Sequence, residues 1–282
     1  MSKSNSVPPE SEPIPASAQQ VYRESATATE LFNRRVAPAD ASHVVPHLRS
    51  GMRLVDFGCG AGSLSLGFAA ILAPGQVVGF DMSEAAIEHA RADADRLGLT
   101  NVDFQLADIN SVDLPEASFD VAHFSGVLAY QKDPLTTLGI AFRALKPGGM
   151  LAAREPQKEG DWFGGPHREV LALYNKVITD YLFRSVGGDP SIGRRLAALL
   201  QHAGFQEVEV KPGYAPAMSD PHVVAAAIVR ILGEGRLSTA ILQHDWLTGE
   251  QLSAIAESVR VWGESGTSTV AFAECMAVGW KR

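Results

Sequence analysis

Short apolar runs alternate with amphipathic stretches over the first half of the chain. The apolar runs lie at 53–58, 77–82, 102–108, 119–125 and 150–155, and they predict short buried strands. The stretches between them, at 63–72, 84–97 and 134–145, have a helical pattern. Strands that alternate with helices in this way form a parallel sheet covered on both faces, and such sheets bind ligands at the carboxyl ends of their strands.

Capping residues mark the ends of several predicted helices. Ser83 is a suitable N-cap for the helix at 84–97, and Gly98 is a suitable stop. Asp133–Pro134 supplies an N-cap and a first-turn proline for the next helix. Farther along, Thr248 and Gln251 have the spacing of a capping box, which predicts another helix start.

The regular alternation ends after the fifth strand. An amphipathic helix is predicted over 168–184, a helix and a strand over 191–211, and further helix within 217–265. The last apolar stretch, 269–282, is interpreted as one closing strand. We expect the insertions near 156–190 and 217–265 to lie over the carboxyl edge of the sheet and to form a lid over an acceptor pocket.

The beginning of the chain has a different character. Residues 1–18 are rich in Ser, Pro and Glu, which predicts a disordered tail before one domain over 19–282. They contain no apolar signal-peptide core. A helix broken near Pro38 is expected between 21 and 48.

Composition narrows the classes of function. The chain has 282 residues, 46% of them hydrophobic, and a net charge of −8 without a dense Lys/Arg cluster, which argues against a nucleic-acid partner. Its two cysteines, Cys59 and Cys275, form no disulfide or metal pattern, as suits the cytoplasm. No apolar run reaches the ~18 residues that span a bilayer. A homodimer is left open.

A glycine-rich segment follows the first strand. Gly58, Gly60 and Gly62 form a G-x-G-x-G loop before a helix, where free backbone N–H groups favour an anionic ligand. The dinucleotide fingerprint G-x-G-x-x-G is not matched, because residue 63 is serine. Asp56, two residues before the loop, suits a ligand with a positive amino group. A ligand that combines a carboxylate, an ammonium and an adenosine is S-adenosyl-L-methionine.

Five segments then resemble the ordered motifs of class I S-adenosylmethionine-dependent methyltransferases. They are VDFGCGAG at 55–62, VVGFDMS at 77–83, FQLADI at 104–109, FDVAHFSGVL at 119–128 and LKPGGML at 145–151. The sequence is most similar to the ubiquinone/menaquinone-biosynthesis-type branch, which acts on small molecules. The resemblance implies an α/β fold, a Rossmann-like doubly wound sheet of seven mostly parallel strands with helical lid insertions. It also implies methyl transfer from S-adenosyl-L-methionine to a small, partly apolar biosynthetic or secondary metabolite.

The resemblance assigns the adenosine end of the cofactor to the second and third strands. Asp81, about 20 residues after the glycine loop, would accept hydrogen bonds from the ribose hydroxyls. Met82 would pack on the adenine. Asp108 would accept a hydrogen bond from the adenine amino group, with the backbone of Ile109 nearby.

The methionyl end would lie over the first and fourth strands. Asp56 would hold the ammonium, directly or through water, while the backbone of Gly58 and Gly60 would contact the methionyl part and Gly62 would allow close helix–strand packing. The remaining contacts are expected from Ser125 and from the N-terminal Tyr22 and Arg35, with Arg34 or Arg35 pairing with the methionyl carboxylate.

Methyl transfer from a sulfonium is an in-line displacement, in which the enzyme mainly aligns the reactants and excludes water. A base is needed only if the acceptor keeps a proton that must leave early. The candidates are His123 on the fourth strand, which either faces the site or packs inside the sheet, Tyr130 and His167 near the expected pocket mouth, and Glu155 at the end of the fifth strand. The aromatic pair Trp162–Phe163 is a candidate for the lid.

Two absent patterns narrow the reaction, and several alternatives stay open. The fourth motif reads HFSG and not [DN]PPY, which argues against methylation of base or glutamine nitrogens, and no H-x-x-x-D cluster indicates a metal-dependent catechol type.

The first alternative is a protein of this fold that binds the cofactor and catalyses a cyclisation or isomerisation. A nicotinamide oxidoreductase and a non-catalytic binding protein are the others.

Overall fold

The computed structural model describes residues 34–183, 187–234, 236–243 and 247–282. Within them the strands are β1 (Arg53–Phe57), β2 (Gln76–Asp81), β3 (Val102–Leu106), β4 (Phe119–Ser125), β5 (Leu145–Pro156), β6 (Trp162–Gly164), β7 (Gln206–Tyr214), β8 (Thr269–Ala271) and β9 (Ala273–Trp280). The main sheet has the order β3-β2-β1-β4-β5-β9-β7, and β6 pairs separately with β8. Strands β1 to β5 are parallel, while β9 runs antiparallel to both of its neighbours. The predicted seven-stranded, mostly parallel sheet is confirmed.

Helices flank this sheet. Those in the described residues are α1 (Ala37–Asp40), α2 (Ser63–Leu72), α3 (Glu84–Leu97), α4 (Pro134–Ala144), α5 (Arg168–Leu182), α6 (Leu196–His202), α7 (Pro221–Glu234), α8 (Arg236–Gln243) and α9 (Gly249–Glu264). None of them is long and apolar enough to cross a membrane.

The predicted caps are confirmed by hydrogen bonds. The Ser83 hydroxyl accepts from the backbone N–H of Ala86 at 3.3 Å, and Gly98 ends α3 in the left-handed conformation. The Asp133 carboxylate accepts from the backbone at the start of α4. Thr248 and Gln251 form the reciprocal capping box at the start of α9, with bonds of 2.7 and 3.1 Å.

Three segments differ from the sequence-based expectation. The closing strand is divided at Phe272 into β8 and β9, which join different sheets. Strand β7 continues past Lys211 to Tyr214 because β9 offers it a partner along that length. Between 21 and 48, the only α-helix in the described part is the short α1. It begins at Ala37, so Pro38 lies in its first turn and does not break a longer helix. Residues 1–33, with the predicted tail and Tyr22, lie outside the described residues.

The core lies on both faces of the parallel strands. Phe57 and Phe124, on the neighbouring strands β1 and β4, stack with their ring centroids 4.7 Å apart. The later helices are attached through Trp262 of α9, which is buried and donates its indole N–H to the carbonyl of Gly164 at 2.7 Å. This bond connects α9 to β6, so the two insertions support each other.

Candidate active site

A cavity of about 580 Å³ follows the carboxyl edge of the main sheet. Charged or polar side chains enter it in the order of the strands: Asp108 after β3, Asp81 on β2, Asp56 on β1, Ser125 on β4 and Glu274 on β9. Strands lie roughly 4.8 Å apart, so the four steps from β2 to β9 span about 19 Å. The cavity is therefore long enough for two ligands end to end.

The three glycines of the loop have different structural roles. A Cβ at Gly58 would lie 2.5 Å from a methyl carbon of Val127, and a Cβ at Gly62 would lie 2.7 Å from the ring of Phe104. At Gly60 a Cβ would meet nothing within 4 Å, although the residue has a φ of +55° and lines the cavity. Packing of the protein thus requires Gly58 and Gly62, while Gly60 leaves open space on the side where a ligand would bind.

Asp81 holds the glycine loop against the end of β2. One carboxylate oxygen accepts from the backbone N–H of Gly60 and the other from that of Ser83, both at 2.9 Å. A carboxylate oxygen has two lone pairs, so each oxygen keeps one for a further donor. Met82 follows, 54% exposed and lining the cavity, as a residue that covers a flat ligand would.

Asp108 is held in a similar way beyond β3. Its carboxylate accepts from the backbone N–H of Asn110 at 2.9 Å and from the side-chain amide of Asn110 at 3.1 Å. That amide also donates to Gln131 at 2.8 Å, and its oxygen accepts from Thr137 at 2.6 Å. Ile109 is buried and lines the same part of the cavity.

Asp56 is the most buried of the three aspartates that line the cavity. It is 3% exposed, lines the cavity, and accepts hydrogen bonds from Ser65 and from Nδ1 of His123, the latter at 2.8 Å. His123 itself is 1% exposed and does not line the cavity. The prediction that His123 faces an acceptor is therefore wrong in position: the side chain lies behind Asp56.

Arg35 brings a positive charge to the wall of the cavity. Its guanidinium donates to the hydroxyl of Ser125 at 3.2 Å. Burial, followed by the nearby Arg154 guanidinium, lowers the pKa of Arg35 to about 10, so it stays charged at neutral pH. The next residue, Val36, is fixed by its N–H bond to Asp40 at 3.0 Å. Arg34 is exposed, so of the two arginines only Arg35 lines the cavity.

Glu155 supports the loop that follows β4. Its carboxylate accepts from the backbone N–H groups of Val127, Leu128 and Ala129 at 3.0, 2.9 and 3.1 Å. Burial raises its pKa to about 7, against the opposing effect of these hydrogen bonds and of the Arg35 charge. Three donors already occupy this carboxylate, so the geometry favours a structural role over the role of base.

The other two candidates for a base are separated by the fold. Tyr130 lines the cavity, and its ring stacks on that of Phe183 with centroids 4.5 Å apart. His167 is exposed at the start of α5 with a φ of +57°, and it is not among the lining residues. The placement of His167 at the pocket was therefore wrong, since the turn before α5 directs it to solvent.

The far end of the cavity is mostly apolar. The insertions contribute much of this lining, which includes Phe163, Tyr174, Phe183, Met218, Ile228 and Phe272. Phe163 packs edge-on against Phe272 with centroids 5.8 Å apart. Trp162 is 61% exposed and lies outside the lining, so only one member of the aromatic pair reaches the cavity.

One ion pair at this end was missed by the sequence reasoning. Glu274, 7% exposed, lines the cavity with an oxygen 2.5 Å from Nη2 of Arg154, which also lies 3.6 Å from Asp40. The available signal was a charged residue inside an otherwise apolar terminal strand. Such residues are almost never fully buried without a partner.

Comparison with known proteins identifies the family. Residues 48–181 match the family described as methyltransferase domain. The chain is 32% identical to demethylmenaquinone methyltransferase of Lactococcus lactis, over 57% of this chain and 68% of that protein. The chain belongs to the S-adenosylmethionine-dependent methyltransferases, and its cofactor is S-adenosyl-L-methionine.

Other similar proteins have different names. Trans-aconitate 2-methyltransferase of Methylobacterium radiotolerans is 29% identical over 78% of this chain and 75% of its own length. An uncharacterized 37.1 kDa protein of a Streptomyces fradiae transposon is 35% identical, but the chain spans only 46% of it. Among solved structures, the [4+2]-cyclase SpnF shares the fold, with a TM-score of 0.56, 21% identity and coverage of 92% of this chain and 94% of that one.

Proposed function

We propose that this methyltransferase transfers the methyl group to a small, partly apolar metabolite held at the β5–β9 end of the cavity. The observation that carries the proposal is the division of one cavity into a polar end at β1–β3 and an apolar end formed largely by the insertions. The cofactor supplies a methyl group on a positively charged sulfur when bound. The apolar end suits a second molecule that has mainly hydrocarbon surface.

The polar end fits the cofactor. Asp81 keeps a lone pair on each oxygen for the two ribose hydroxyls, and Asp108 is turned toward the adenine position by Asn110. Asp56 would hold the ammonium, and Arg35 would pair with the carboxylate. The open side of Gly60 leaves room for the ligand to approach the backbone.

The chain's own residues would act mainly by alignment. Arg35 and Ser125 would fix the methionyl group over β4, while Phe163 and Phe272 would hold the acceptor against it and exclude water. Orientation of this kind contributes up to about 7–11 kcal/mol to lowering a barrier. Tyr130 and Glu274 also line the cavity, where the Glu274 carboxylate can take a proton from an acidic acceptor and the Tyr130 hydroxyl can hydrogen-bond to it.

A direct assay tests the proposal. The protein is incubated with cofactor labelled in the methyl group and with a panel of quinone precursors, phenols, indoles and thiols. We expect labelled product and S-adenosylhomocysteine in equal amounts with at least one acceptor class. Conversion of an acceptor without formation of S-adenosylhomocysteine would overturn methyl transfer and support the cyclisation alternative. The reason to consider that alternative is the fold shared with SpnF.

A pair of variants tests the cofactor end separately. Asp81→Asn replaces one acceptor oxygen by a donor, and we expect at least tenfold weaker binding of S-adenosylhomocysteine, since a hydrogen bond to a charged group contributes ~1.5–3 kcal/mol. Asp103→Asn is the control, because Asp103 is exposed on β3 and is not among the lining residues. Equal affinities of the two variants in calorimetry would contradict the assignment of Asp81.

A further inference from the structure

The buried pair of His123 and Asp56 is built into the register of the sheet. Strands β1 and β4 are parallel neighbours, and Asp56 is directly opposite His123. Both side chains therefore leave the sheet on the same face, and Nδ1 lies 2.8 Å from the carboxylate. Neither residue is on a loop, so this contact is held by the backbone hydrogen bonds of two central strands.

Asp56 is held from behind at both of its oxygens. His123 bonds to Oδ1, and the hydroxyl of Ser65 on α2 bonds to Oδ2. The carboxylate nevertheless lines the cavity, and each oxygen keeps a lone pair for a donor there. With two fixed donors on one side, the carboxylate has a single orientation toward the cavity.

The hydrogen bond also fixes how His123 is used. A carboxylate only accepts, so Nδ1 carries the hydrogen and donates to it. The other ring nitrogen, Nε2, is buried and has no hydrogen-bond partner among the described residues. The ring of Phe68 lies edge-on to the imidazole with centroids 4.9 Å apart, and the ring of His43 lies at 6.4 Å. Within the described part of the chain, the hydrogen bond of the imidazole is therefore the one to Asp56.

We propose that His123 is a positioning residue that orients Asp56 toward the α-amino group of the cofactor's methionyl part. The inference rests on the proposed role of Asp56, and it gives a function to a histidine that has no access to the acceptor. An apolar residue at this position would fill the same space, but it would leave Oδ1 of the buried Asp56 without this donor. The donor at Nδ1 therefore both satisfies the carboxylate and fixes its direction.

The test compares two ligands that differ in the amino-acid part. S-adenosylhomocysteine carries the α-amino group, whereas 5′-methylthioadenosine lacks it. In His123→Phe, which keeps a ring but removes the donor, we expect about tenfold weaker binding of S-adenosylhomocysteine, the size typical of one charge-assisted hydrogen bond. Binding of 5′-methylthioadenosine should change less than about twofold. Calorimetry measures both, after circular dichroism has shown that the variant is folded.

Two further variants separate positioning from packing. His123→Asn places an amide N–H where Nδ1 was, and it should restore the affinity for S-adenosylhomocysteine to within about threefold of the original. In an Asp56→Asn background, His123→Phe should cost no further affinity, because its effect is transmitted through Asp56. His123→Leu replaces His123→Phe in these measurements if the phenylalanine does not fit.

The outcomes are distinct. Selective loss of S-adenosylhomocysteine binding, with rescue by asparagine, supports the positioning role. Equal loss of both ligands, no loss of either, or additive losses with Asp56→Asn would overturn it. If the original protein binds neither ligand, the proposed cofactor site itself is wrong. That result is distinct from normal binding by the original protein with unchanged binding by His123→Phe, which would overturn only the role of His123.

Discussion

Replacement of Gly60 by alanine separates backbone strain from ligand contact. The added methyl group would meet no atom of the protein within 4 Å, so it creates no clash in the folded chain. It would, however, project from a residue that lines the cavity between Asp56 and Asp81. Any loss of affinity in Gly60→Ala therefore comes from the ligand's own need for that space.

Gly98 provides the matched control. Its φ is +66°, close to the +55° of Gly60, and a Cβ there would also meet nothing within 4 Å. Gly98 ends α3 and is not among the lining residues. A left-handed conformation costs an L-residue roughly 1–2 kcal/mol, so Gly60→Ala and Gly98→Ala should lose similar amounts of stability.

The two variants should differ in binding. Forcing a methyl group into an occupied contact costs typically ~1–3 kcal/mol, which corresponds to at least about fivefold weaker binding of S-adenosylhomocysteine for Gly60→Ala. Gly98→Ala should bind within about twofold of the original protein. Urea unfolding gives the stabilities and titration calorimetry gives the affinities. Equal affinities of the two variants, at equal stability, would refute the view that the loop at Gly60 contacts the cofactor.

Three further predictions concern buried groups and the acceptor. Burial lowers the pKa of His43 to about 3, so the contribution of this side chain to stability falls as pH drops below about 6.5, by up to ~1.4 kcal/mol per pH unit. The free energy of unfolding in urea of His43→Leu, minus that of the original protein, should therefore rise as pH falls from 6.5 to 4.5; a difference that does not change with pH would contradict it. Glu155, with its pKa raised to about 7, contributes in the opposite direction, because its contribution to stability is full below about pH 4.5 and falls until pH 7. The free energy of unfolding of Glu155→Gln, minus that of the original protein, should therefore rise between pH 4.5 and 7; a constant difference would exclude Glu155 as a source of the pH dependence. Phe163→Ala should raise KM for an identified acceptor several-fold and leave S-adenosylhomocysteine binding unchanged, with the exposed neighbour Trp162→Ala as control; equal effects of both on KM would count against the acceptor end.

Local patterns in the sequence predicted the elements whose stability is itself local. The capping box at Thr248 and the cap at Ser83 depend on residues three positions away, and both are present. The division of the closing strand at Phe272 depends on which distant strand accepts each half, and no neighbouring residue indicates this. Periodicity therefore predicts that a strand exists but not its partner.

Prediction of the site from the sequence has the same limit, because contacts between distant residues are not visible in local patterns. The fold brings to one cavity Asp56, Asp81 and Asp108, which follow or end strands in recognisable motifs. His123 leaves the sheet on the same face as Asp56 but lies behind it, and this depends on the register of β4 with β1, which a single sequence does not reveal. The pair of Arg154 and Glu274 joins residues 120 positions apart in sequence, which the pattern of one chain does not reveal.

The place of β9 between β5 and β7 has a consequence for biosynthesis. Strand β7 is synthesised more than 50 residues before β9, yet its only hydrogen-bonded neighbour in the described sheet is β9. At about 5–20 residues per second, the ribosome leaves that edge without a partner for several seconds after β7 emerges. A nascent chain stalled in α9 would therefore display a bare strand, the kind of surface that chaperones cover and that aggregates recruit.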